Sequence, residues 1–116
     1  MSANACLAEA EELLSGRRSL ACWPIATAVL LRAALEAGID SRLAAILPDT
    51  TRYSMRARLL VLTVAATTDR ATAVEAATTW ATLSRAVHHH VYELPPTLAE
   101  LRSWQASVVR FVAAAH

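Results

Sequence analysis

Apolar residues recur along this chain at spacings of three and four, which places them on single faces of helices. The first such stretch runs from about Ala3 to Ser15. It sets Leu7, Ala10, Leu13 and Leu14 on one face and the glutamates opposite, and Gly16 follows as a C-terminal stop. The second runs from about Pro24 to Leu47. Between Ile25 and Leu35 only Thr27 and Arg32 are polar, and a helix apolar nearly all round reads as a buried central element. Pro24 suits a first helical turn because its missing N–H would be unpaired there anyway. Pro48 ends the helix, and Pro48–Tyr53 reads as a loop.

Capping residues fix the next three starts. Ser54 caps a helix from Met55 to about Thr67, and Asp69 caps one from Arg70 to about Tyr92. Thr97-Leu98-Ala99-Glu100, directly after Pro95-Pro96, is a capping box. The last helix follows it to the chain end through Leu101, Trp104, Val108, Phe111 and Val112. The expected fold is one all-α domain over residues 1–116. It is an antiparallel four- to five-helix bundle with the second helix most buried and the fourth and fifth flanking it.

Composition agrees. Two glycines and four prolines leave little material for strands or tight turns, and the prolines fall at helix boundaries. The net charge is +1 and every cation is an arginine, a planar fork suited to carboxylate or phosphate. No strongly basic arm is present, so tight nonspecific nucleic-acid binding is not implied. The apolar runs Leu20–Leu31 and Leu59–Ala66 are too short or too interrupted to span a bilayer. The start of the chain lacks a basic segment and soon meets Glu9, Glu11 and Glu12, unlike a signal peptide. These features predict a cytoplasmic protein. Cys6 and Cys22 have no metal spacing and read as two reduced, buried thiols, a disulfide between the first two helices being the alternative.

Three groups carry candidate chemistry. Arg32 and Glu36 lie one turn apart on the apolar second helix. They are either a plain surface pair or line a polar pocket in which Glu36 seeks an arginine from another helix. His88, His89 and His90 close the fourth helix. Successive helical residues point about 100° apart, so the three cannot all face the core. Their spacing is poor for a metal, and a solvated helix end beside the negative dipole terminus is the plain alternative. Arg52, Arg56 and Arg58 either contact phosphates or form the solvated face of a short amphipathic helix.

Arg85, His90 and Tyr92 spell R-x-x-x-x-H-x-Y, which resembles the signature of the HEPN superfamily, the higher-eukaryote and prokaryote nucleotide-binding domains. Leu31-Arg32-Ala33-Ala34-Leu35-Glu36 is similar to the R-x-x-L-E helix of one bacterial branch. Tyr92-Glu93-Leu94-Pro95-Pro96-Thr97 and the final helix resemble the tail after the family's histidine. The resemblance spans Trp23 to Ala113. It implies a four-helix core, a homodimer with Arg and His of both protomers lining one cleft, and no cofactor. Many members are metal-independent ribonucleases, often toxins paired with a nucleotidyltransferase antitoxin that in some cases adenylylates the motif tyrosine, here Tyr92. Others are noncatalytic RNA-binding or scaffold modules. One departure matters: many members carry a polar residue, often Asn, directly after the arginine, and this chain has Ala86.

The residue types suit that chemistry on their own terms. RNA brings its own nucleophile, the 2′-OH. Histidine moves protons near neutral pH, and an arginine fork stabilises charge on phosphorus oxygens. The expected catalytic pair is therefore Arg85, as phosphate stabiliser, and His90, as general acid/base. Tyr92, His88, His89, Arg32 and Glu36 are accessory or substrate-binding candidates, and no metal site is expected. On one continuous helix Arg85 and His90 would stand about 140° apart, which favours pairing across a C2 homodimer. The competing readings are a noncatalytic HEPN-like module binding RNA, a nucleotide or a partner protein, and a helical bundle in which the motif is coincidental.

Overall fold

The computed structural model describes residues 2–65, 68–88 and 93–114. Among these residues five helices follow in order: α1 (Ala3–Leu14), α2 (Trp23–Leu43), α3 (Met55–Val64), α4 (Arg70–Val87) and α5 (Leu98–Ala114). A 3-10 turn, Thr50–Arg52, lies inside the expected loop. There is no strand among the described residues.

The capping signals act as their chemistry requires. The side chains of Ser2, Ser54 and Asp69 accept the N–H groups of Ala5, Ala57 and Thr72, which the helices leave unpaired. Asp69 also accepts the Thr72 hydroxyl, and these bonds hold its carboxyl below the ordinary value. At α5 the box is reciprocal. The Thr97 N–H donates to Glu100 Oε1 (3.0 Å) and the Glu100 N–H donates to Thr97 Oγ1 (3.1 Å). Gly16, at φ 77°, takes the left-handed position that stops α1.

Three helices end sooner than the pattern suggests. α2 stops at Leu43, after which the N–H groups of Ile46 and Leu47 both turn back to the Leu43 carbonyl. Pro48 disfavours helical backbone at Leu47, so the helix unwinds ahead of it. α3 ends at Val64 with Ala65 extended, and α4 ends at Val87 with His88 outside helical geometry. Side-chain periodicity does not report where backbone hydrogen bonding stops.

α2 packs against all four other helices. Its buried residues (Thr27, Ala28, Leu31, Ala34, Leu35, Gly38, Ile39 and Leu43) form one wide stripe rather than a full circumference. Val29 is 41% exposed and, with Ala26 and Leu30, lines an open groove beside α1. The helix is central because of its neighbours, and apolarity all round overstates its burial. Thr27 sits in the core because its hydroxyl donates to the Trp23 carbonyl (2.7 Å), leaving no unpaired donor. At Gly38 an added Cβ would lie 3.2 Å from Val112 Cγ2 and 3.3 Å from Phe111 Cδ1, so the close approach of α5 depends on a missing side chain.

Polar ties set the remaining contacts. Glu11 accepts from Arg102 Nη1 (2.7 Å) and Gln105 Nε2 (2.8 Å), joining α1 to α5. Arg58 pairs with Asp40 (3.2 Å), joining α3 to α2. Arg42 lies over the Phe111 ring, 4.2 Å from its centroid, and donates to the Phe111 carbonyl and to Thr68 Oγ1, both at 3.1 Å. Both cysteines are free. Cys6 is buried, but Cys22 is exposed just before α2, which corrects the expectation of two buried thiols. No described helix is long and apolar enough to cross a membrane.

Candidate functional site

Arg85 stands on the last turn of α4, on an exposed face. Its guanidinium donates to Thr82 Oγ1 at 3.5 Å and forms no ion pair among the described residues. A cleft of about 320 Å³ opens beside it, where the end of α4 faces the start of α5. Its walls include Arg85, Ala86, Glu93, Glu100 and Trp104. The Glu100 carboxylate is engaged by its own capping box, whereas Glu93 is exposed. The site therefore combines a guanidinium with no carboxylate on it, an indole for stacking, and nearby carboxylates that oppose a dense phosphate load.

His88 is exposed and caps α4 through its backbone N–H, which donates to the Ser84 carbonyl (3.1 Å). His89, His90 and Tyr92 lie outside the described residues. No group of three His, Cys, Asp or Glu side chains able to hold a metal occurs among the described residues.

Arg32 and Glu36 do not pair with each other among the described residues. Glu36 Oε2 instead accepts the indole N–H of Trp80 on α4 at 2.9 Å. Neither the surface-pair reading nor the search for a second arginine anticipates this neutral donor. A half-buried tryptophan needs an acceptor for its N–H. Glu36 follows directly on the apolar run of α2, so it is well placed to supply one, but only packing brings the two helices into register. Of the three clustered arginines, Arg58 is committed to Asp40 and to the Tyr53 carbonyl, while Arg52 and Arg56 stay exposed. That removes Arg58 from the phosphate-binding candidates.

Two neighbours of Arg85 gain meaning from the structure. Ala86 is half-buried: it packs against the core and also borders the cleft beside Arg85. The Ser84 hydroxyl is enclosed and without a partner among the described residues. Nothing in the sequence distinguishes Ser84 from the other hydroxyls of α4. Comparison with known proteins finds no matching family model, no matching curated protein and no matching solved structure.

Proposed function

We propose that this chain is a HEPN-like helical domain acting on RNA as a metal-independent ribonuclease. Arg85 is the phosphate-stabilising cation and His90 the general acid/base. The observation that carries the reading is the Arg85 guanidinium. It is exposed, free of carboxylate partners among the described residues, and placed at the lip of a cleft just before the segment bearing His90. The 2′-OH attacks phosphorus as a base removes its proton. The P–O5′ bond breaks, the leaving oxygen takes a proton, and a 2′,3′-cyclic phosphate and a 5′-OH remain. His90 supplies the proton transfers, and Arg85 holds the charge that grows on the non-bridging oxygens.

A C2 homodimer joined near the end of α4 belongs to this reading, because it brings two copies of the Arg/His/Tyr segment together. A cytoplasmic toxin paired with a nucleotidyltransferase, with Tyr92 as the modified side chain, is the biological setting the resemblance suggests. A noncatalytic RNA- or nucleotide-binding module is the second reading. Ala86 favours it, since nucleases of the family often carry a polar side chain at the position after the arginine.

Labelled single-stranded RNA incubated in excess chelator separates the two. The ribonuclease reading expects slow cleavage with cyclic phosphate ends, and a loss of roughly 10²–10⁴-fold in His90→Ala. If wild type and His90→Ala are equally inert on varied RNAs while folding normally, the chain is a binding module instead.

A further inference from the structure

The cleft beside Arg85, on the seam between α4 and α5, has walls that the charge of Arg85 does not explain. Besides that guanidinium and the carboxylates of Glu93 and Glu100, it is lined by Trp104, Leu94 and Pro96. Trp104 stands on the second turn of α5. It is half-buried: part of the side chain packs on the hydrophobic core, which fixes the ring, and part lines the cleft. Leu94 is 92% exposed, more than any other large apolar side chain among the described residues. It directly precedes Pro95-Pro96, whose rings restrict the backbone that carries it.

Each feature answers one part of a nucleotide. A guanidinium without a carboxylate takes a phosphate. An indole and neighbouring aliphatic side chains take the face of a base. The volume, about 320 Å³, lies at the lower end of the range typical of small-ligand pockets, so it suits one base. Glu93 and Glu100 oppose a second phosphate close by, which disfavours the paired backbones of a duplex. In an A-form duplex each base face is also covered by its neighbours, and only a nucleotide out of the stack can present one to a side chain. Every base has such a face, so this contact tolerates many sequences.

We infer that Trp104 is the base-stacking residue of this cleft, taking one unstacked RNA base while Arg85 holds an adjoining phosphate. The inference rests on the RNA reading of Arg85. It adds the substrate class, a single-stranded or looped segment of tolerant sequence, and the residue that recognises it. It does not depend on cleavage.

The test measures binding of the full chain to a fluorescent 2′-O-methyl RNA hexamer, which lacks the 2′-OH nucleophile and stays intact. The comparison probes are the same hexamer without its bases, the same hexamer annealed to its complement, and UMP. The expected result is that removing the bases, or pairing them, weakens binding about tenfold or more. In Trp104→Leu the intact and base-free hexamers should bind alike, while Trp104→Phe keeps most of the difference. Thermal melts establish that both variants fold. A second measurement needs no variant: a 5-iodouridine placed in the hexamer and irradiated should crosslink wild type at Trp104, located by peptide mass spectrometry. If the intact hexamer does not bind wild type, the RNA reading of Arg85 fails and this inference fails with it. If the hexamer binds, Arg85→Ala weakens it, and the base-free hexamer binds equally well, the phosphate reading stands and the stacking role is overturned. A base preference that survives in folded Trp104→Leu also overturns it, as does a crosslink at another residue. UMP binding as tight as the hexamer overturns the assignment to a strand.

Discussion

The two ends of the α4/α5 seam are built from the same pair of helices and present opposite chemistry. At one end Arg110 is held by Glu75 and Ser107 over buried Leu35 and Phe111. At the other, Arg85 reaches over an open cleft with a single long contact to Thr82. Both are exposed arginines, so the residue type alone does not decide what each site can hold. A guanidinium already answered by a carboxylate gives a neutral, directional surface. One without a carboxylate keeps its full charge for an anion. The difference comes from what the opposing helix places across the seam.

This contrast can be broken at several points. Leu35→Ala removes a fully buried side chain that supports the Glu75 end and the core beneath it. It should cost about 2–5 kcal/mol in urea-monitored stability. A loss below 1 kcal/mol would mean that α2 is not the packing centre. Arg85→Ala should lower RNA cleavage roughly 10²–10³-fold with an unchanged melting temperature, as expected for an exposed group that acts on transition-state charge. A similar cleavage rate in that variant would remove Arg85 from the chemistry and erase the distinction between the two ends.

Trp80→Phe keeps the ring but leaves Glu36 without its donor. Roughly 1–2 kcal/mol of destabilisation is expected by thermal or chemical denaturation. The smallest effect is the pH dependence. Arg102 and Gln105 hydrogen bonds hold the Glu11 carboxyl below its ordinary value. A depressed folded value means that the contribution is complete above the unfolded carboxylate value and disappears as pH falls through the folded one. Acid should therefore loosen the α1–α5 tie first below the ordinary carboxylate range. Amide exchange of α1, compared between wild type and Glu11→Gln, should show this sensitivity in wild type alone.

Local signals were dependable wherever a residue acts on its immediate neighbours. Ser54, Asp69 and the Thr97–Glu100 box start helices because they satisfy N–H groups three residues away, within the same turn. Helix ends were less legible. Leu43, Val64 and Val87 precede the last residues that periodicity would include.

The candidate site divides along the same line. The sequence by itself determined the helical class, the caps, the apolar run of α2, and the nearness in sequence of Arg85 to the three histidines. Only the tertiary structure decided which arginines remain without carboxylates. Arg58 went to Asp40, Arg102 to Glu11 and Arg110 to Glu75, while Arg85 did not find such a partner among the described residues. It also gave Glu36 an indole rather than a guanidinium. The reason is physical. Capping and periodicity depend on backbone geometry within one or two turns, whereas the partner of a long side chain depends on helix crossing and register, which many weak packing contacts set together.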